Sequence, residues 1–257
     1  MSTVHTLLLY LHIALGSIAL LLYWLPIVTR KGSTLHIKAG KWFYAIMLVL
    51  SGSGMLMCSI ALYDPIAIYV AGKNMTAAQV DKMLYWRIPV SQFLLLLSLL
   101  TWVTVRHAVG VLRVKHNNAA LRAWPYQGPN LMLLLLAIYV GWQGITVGIT
   151  LLIIFAAVSL FSAISICFYV YKKDLQPRQW IIEHFSSMIG AGIAVYTAFF
   201  AAGGRHIVAQ WLPEHWQLVT WLAAPALGTL AILALKGYYQ RKFNVVPAKN
   251  LNALQQS

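Results

Sequence analysis

Acidic residues are nearly missing from this chain: 257 residues carry five Asp or Glu against 19 Lys or Arg, and charged residues together make up 9%. Soluble domains carry about 25% charged residues, so a domain with an ordinary solvated surface is excluded. Cysteine is scarce as well. Two residues, Cys58 and Cys167, make no disulfide framework, and the order of apolar runs places them near opposite faces of a membrane, beyond the roughly 7 Å that a bond allows. The motifs of common chemistries are also lacking. There is no HExxH, no CxxC, no phosphate-cradling or dinucleotide-binding glycine pattern, and no GxSxG. No catalytic residue is assigned on this basis.

What the chain does have is apolar length. It is 60% apolar with a mean hydropathy of +0.73, which predicts an all-α, polytopic integral membrane protein. A formal charge of +14 would suit nucleic acid, but the basic residues lie in short gaps between apolar runs, not on a polar folded surface. Nucleic acid is excluded as a partner, and the lipid bilayer is the expected one.

A helix needs about 20 apolar residues to cross the hydrocarbon core, and seven such spans are predicted. They are His5 to Val28, Ala39 to Leu62, Tyr85 to His107 with a bend at Pro89, Gly128 to Ile145, Val147 to Tyr171, Trp180 to Phe200, and Trp216 to Leu235. The fourth and fifth are separated because 44 residues from Gly128 to Tyr171 would extend about 66 Å as one helix. The reversal is expected at Gly141-Trp142-Gln143-Gly144. The first run lacks a basic start, so it reads as a retained span and not a signal peptide.

Between the spans, Arg30 to Lys41 reads as a basic loop holding His36, and Asp64-Pro65 as the stop of the second span. Thr76 to Gln79 has capping-box spacing and starts a helix that runs into the third span. Arg106 to Trp124 reads as a basic, solvated loop or a helix lying against anionic head groups, and Gly203 to His215 as a turn. With alternating spans, 15 of the 19 basic residues fall on one side. The positive-inside rule then puts the amino terminus outside and the carboxyl terminus in the cytoplasm. Residues 1–243 form the seven-helix domain, and 244–257 a mobile cytoplasmic tail.

Chemistry is expected where polar groups enter the apolar runs. Glu183 is the only acidic residue inside one of them, and a carboxylate there costs about 2.5 to 3.5 kcal/mol on insertion scales. It is followed by His184 in a stretch whose small residues, Gly190, Ala194 and Ala198 on one line and Ser187 and Ala191 on another, suit close helix packing. Of eight histidines, four stand out. His12 lies about 9 Å below the outer interface. His36, His107 and His184, with Glu183, are expected near the inner interface. Imidazole is the commonest metal ligand and a frequent haem ligand.

Three pieces of the chain together resemble a family of bacterial inner-membrane proteins catalogued as domain-of-unknown-function family 2306. They are Leu11-His12 with Gly16, Thr29-Arg30-Lys31-Gly32-Ser33-Thr34-Leu35-His36, and Glu183-His184 with Met188-Ile189-Gly190 and Thr197-Ala198-Phe199. The resemblance implies a multi-helix protein of the bacterial inner (cytoplasmic) membrane, points to His12, His36 and His184, and implies no reaction. Similar members often carry a polar residue after the Thr-Ala-Phe triplet, where this chain has Phe200-Ala201-Ala202.

Three functions of different class follow. The first is binding of a cofactor, b-type haem or a transition metal, for electron transfer. There His184 is one ligand, His36 or His107 the second, Glu183 a hydrogen-bonding partner that fixes the imidazole, and His12 part of a separate outer site. The second is a proton-coupled transporter or permeation protein of a small-molecule ligand, with Glu183, His184 and His12 as proton stations. The third is a membrane scaffold without a site. A redox partner is implied by the first; the oligomeric state is not readable.

Overall fold

The computed structural model describes residues 2–200 and 217–245. Nine α-helices and one 3-10 helix are found among them: α1 (Ser2–Leu22), α2 (Trp24–Val28), α3 (Thr34–Tyr63), α4 (Pro65–Tyr69), α5 (Ala77–Val114), the 3-10 turn Asn118–Arg122, α6 (Trp124–Val147), α7 (Thr150–Tyr171), α8 (Gln179–Ala198) and α9 (Gln217–Lys242). Among the described residues six segments are long and apolar enough to cross a membrane: Thr3–Val28, Thr34–Tyr63, Ala77–Val114, Trp124–Val147, Thr150–Tyr171 and Val219–Lys242. α8 does not join them, because Gln179, Glu183, His184, Ser186 and Ser187 dilute its apolar stretch. The turn expected at Gly203 to His215, and the tail beyond residue 245, lie outside the described residues.

Several boundaries follow from single residues. α1 stops at Leu22, the position whose carbonyl would meet the ring of Pro26 four residues on. α3 begins at Thr34, capped by Ser33, whose hydroxyl accepts from the His36 backbone N–H at 3.2 Å. His36 therefore sits in a first helical turn and not in a loop, correcting the expected boundary. Asp64 ends α3 and caps α4 by accepting from the Ala67 N–H at 3.0 Å. The capping box before α5 is reciprocal: Thr76 N–H donates to Gln79 Oε1 at 2.9 Å, and Gln79 N–H to Thr76 Oγ1 at 3.4 Å.

Two further expectations are corrected. The chain reverses at Gly148, which has φ +75°, and not at Gly141 to Gly144. Those two glycines sit inside α6 and serve close packing instead. A Cβ on Gly144 would come within 2.9 Å of the Leu152 Cβ, and one on Gly141 within 3.1 Å of the Ala156 Cβ. The expected solvated segment after Arg106 is exposed at Arg113, Lys115 to Asn117 and Arg122 to Trp124, but not throughout: the last turns of α5 bury His107, Ala108 and Val111, and the 3-10 turn buries Asn118 and Leu121.

The helices group into two compact units, Met1–Val103 with Leu131–Ala163, and Thr104–Asn130 with Ile164–Ser257. In the first, α1 packs on α3, and Phe43, Met47, Phe93, Leu96, Leu133 and Leu152 are the largest of its fully buried side chains. Phe93 and Phe155 meet edge to face at 5.5 Å. In the second, α8 packs on α9 at Gly228, where a Cβ would collide with the Ile193 side chain, and through the Phe185 and Tyr239 rings at 4.7 Å. The last turns of α5 and the start of α8 run antiparallel: Gly190 meets Thr104, Glu183 meets His107, and His184 meets Ala108.

Candidate functional site

The second unit holds a buried polar chain centred on His107. Its imidazole is 1% exposed, and both ring nitrogens are engaged by side chains from elsewhere in the sequence. Nε2 lies 2.7 Å from Glu183 Oε1, and Nδ1 is hydrogen-bonded to the Tyr126 hydroxyl. In the neutral ring, Nε2–H donates to the carboxylate while Nδ1 accepts from the phenol. In the charged ring both nitrogens donate, and His107 and Glu183 form an ion pair. The geometry accommodates both states with the same partners, which is what a proton-holding relay requires.

Each member is placed by its own local structure. Tyr126 lies in the first turn of α6, and its ring rests on α5 at Gly110, where a Cβ would come within 3.1 Å of Tyr126 Cε2. Arg106 steadies the same turn, donating to the Pro125 carbonyl at 3.1 Å with its guanidinium over the Tyr126 ring at 5.8 Å. Glu183 enters from the first turns of α8 and is the only Asp or Glu within the described helices of this unit. Its side chain is 25% exposed, so the chain of bonds runs from a fully enclosed imidazole to a partly open carboxylate.

Tyr169 closes another side of the imidazole, edge to face with His107 at 5.5 Å and 83°. Its buried hydroxyl makes no hydrogen bond among the described residues. The end of α7 that carries it is capped by Asn118, which donates to the Tyr169 and Lys172 carbonyls at 3.0 and 2.9 Å, and by Arg122, which donates to the Val170 carbonyl at 3.2 Å. A cation beside the last carbonyls of a helix also complements its dipole.

The other residues expected at a site are distributed differently. His184 is not fixed by Glu183; its Nδ1–H donates to the Ala108 carbonyl at 2.7 Å, while Glu183 fixes His107. His36 belongs to the first unit, where Nδ1–H donates to the Pro26 carbonyl at 3.0 Å. Lys31 donates to the same carbonyl at 2.9 Å and to that of Ile27 at 2.6 Å, so both residues cap the end of α2. His12, also in the first unit, bonds Ser53 at 2.9 Å. Among the described residues no group of three or more His, Cys, Asp or Glu converges as a metal set.

Sequence reasoning missed Tyr126 and Tyr169. Neither stands out by type or spacing, because each is one of 13 tyrosines and its partner is remote in sequence. No family model matches this chain, and neither a curated protein nor a solved structure matches it.

Proposed function

We propose that the protein is a proton-coupled membrane transporter or permeation protein whose proton relay is Tyr126, His107 and Glu183. The single observation that carries this reading is the double engagement of the buried His107 ring, with a hydroxyl on one nitrogen and a carboxylate on the other. An intramembrane ionisable pair marks an ion or proton path more often than a structural accident. The reading includes α8 as a seventh crossing, made tolerable for Glu183 by its bond to His107. It takes the amino terminus as outside, the carboxyl terminus as cytoplasmic, and the membrane as the bacterial inner one, on the strength of the basic-residue distribution. Proteoliposomes with a trapped pH dye and an imposed gradient test it. Faster dissipation than in protein-free vesicles is expected, and equal rates would retire the proposal.

A second reading, b-type haem or a transition metal serving electron transfer, is favoured by one observation. The Nδ1–H of His184 is held by a backbone carbonyl, the arrangement that orients an imidazole and raises its basicity toward a metal. On this reading His107 is no ligand, because either nitrogen would first have to give up a buried hydrogen bond. A Soret band or stoichiometric metal in the purified protein, lost on His184→Ala, is the expected sign; colourless, metal-free protein would end it.

A further inference from the structure

Four helix ends of the second unit are tied together. Lys115, just past α5, lies over the Trp180 ring of α8 at 5.7 Å. Lys172, just past α7, donates to Gln179 Oε1 of α8 at 2.9 Å, and Arg178, just before α8, donates to the Phe243 carbonyl past α9 at 3.0 Å. The segments 113–124, 171–180 and 236–245 around this junction contain one acid, Asp174. Against it stand the exposed cations Arg113, Lys115, Arg122, Lys173, Arg178 and Arg241, none of them in an ion pair among the described residues. The apolar spans Ala77–Val114, Thr150–Tyr171 and Val219–Lys242 all end here, so the cations sit where hydrocarbon gives way to head groups.

Arg122 is held in place within this surface. Its Nε donates to the Val170 carbonyl at 3.2 Å, and its guanidinium lies over the Tyr171 ring at 5.7 Å. An arginine bonded through Nε keeps its two terminal nitrogens as a planar fork, the shape that meets two phosphate oxygens at once. Lys173 follows Tyr171 by two residues and is exposed without a hydrogen bond among the described residues. Below Tyr171 the same helix is open to lipid: Tyr171, Phe168 and Ile164 are 56%, 76% and 44% exposed, and spacings of three and four put them on one line. A bare apolar line therefore leads up to a held guanidinium, which is the layout of an amphiphile with an anionic head.

We propose that Arg122 and Lys173 bind the phosphate of an anionic phospholipid whose acyl chain lies along Tyr171, Phe168 and Ile164. The neighbouring cations favour a head group with net negative charge, each basic residue near such a surface adding to the attraction. A zwitterionic phospholipid brings its own cation into this field. A soluble phosphate ester has the phosphate and no tail for the apolar line.

Native mass spectrometry of the purified full-length protein in detergent tests this, with titrations of dioleoyl phosphatidylglycerol, dioleoyl phosphatidylcholine and glycerol 3-phosphate. Saturable phosphatidylglycerol binding is expected, tighter than either of the others by about tenfold or more. Lys173→Gln, which removes an exposed charge and so spares the fold, should weaken phosphatidylglycerol by about fivefold. Arg122→Gln should weaken it by about tenfold or more, because the fork is lost with the charge. Lys82→Gln removes an exposed charge at the far end of α5 and should leave the affinity as it is. Phosphatidylcholine or glycerol 3-phosphate binding as tightly as phosphatidylglycerol would overturn the assignment. So would Arg122→Gln and Lys173→Gln both binding phosphatidylglycerol as tightly as Lys82→Gln does.

Discussion

Nε2 of His107 and Oε1 of Glu183 lie 2.7 Å apart although 76 residues separate them in the chain. The bond joins the last turns of α5 to the first turns of α8, and it gives the only acid in the described helices of its unit a partner that can share a proton. Removing either partner leaves the other without its charge-assisted bond, and for the enclosed imidazole that means a buried nitrogen with nothing to meet.

Tyr126→Phe removes one oxygen atom and keeps the ring on Gly110. His107 Nδ1 is then buried without a partner, which costs about 1–3 kcal/mol. The expected outcome is a lower unfolding midpoint in detergent together with slower proton flux. A variant with unchanged stability would show that the phenol does not hold the imidazole.

Gly110→Ala puts a Cβ within 3.1 Å of Tyr126 Cε2 and pushes the ring off His107. Its cost should depend on that ring being present. In a double-mutant cycle, Gly110→Ala should destabilise the wild type by about 1 kcal/mol more than it destabilises Tyr126→Ala. Equal costs in the two backgrounds would place the effect elsewhere.

Asn118→Ala strips two hydrogen bonds from the end of α7, at the Tyr169 and Lys172 carbonyls. Stability should fall by about 1 kcal/mol for each, and amide exchange should quicken in the last turn of α7. An exchange pattern identical to wild type would contradict the capping role.

Gly148→Ala forces a Cβ into a backbone with φ +75°, at a cost of about 1–2 kcal/mol. Gly144→Ala should also destabilise, for a different reason: its Cβ would meet Leu152 and the Ile153 backbone. Adding Ile153→Ala, which removes the Ile153 Cγ1 that lies 2.9 Å from the same Cβ, should relieve part of the second effect and none of the first, as read from denaturation of the double variants.

The apolar runs made the helices readable because length and hydropathy are properties of contiguous sequence. The start of α5 was readable for the same reason, since both halves of its capping box lie within four residues. Gly141 and Gly144 misled because a glycine that allows two helices to touch looks, in sequence, like a glycine that turns the chain. The segment after Arg106 misled because its charges suggested water, whereas His107, Ala108 and Val111 between them face inward. Glu183 was legible as an acid out of place. Its partner was not, because helix periodicity gives the face a residue occupies and not which of several distant helices meets that face. His36 was legible as an imidazole near the end of a span, but its bond to the Pro26 carbonyl ten residues earlier was not, because that bond depends on how α2 ends.

The proposed relay requires a proton to move through His107 and Glu183. Glu183→Gln keeps the shape and one carbonyl acceptor but cannot take up or release a proton, so the measurement is proton flux into proteoliposomes carrying this variant beside those carrying wild type. The variant must first show the helical content and detergent stability of a folded chain. A fall of about 100-fold is predicted, the usual scale for removing a proton-transfer group; flux at the wild-type rate would contradict the relay.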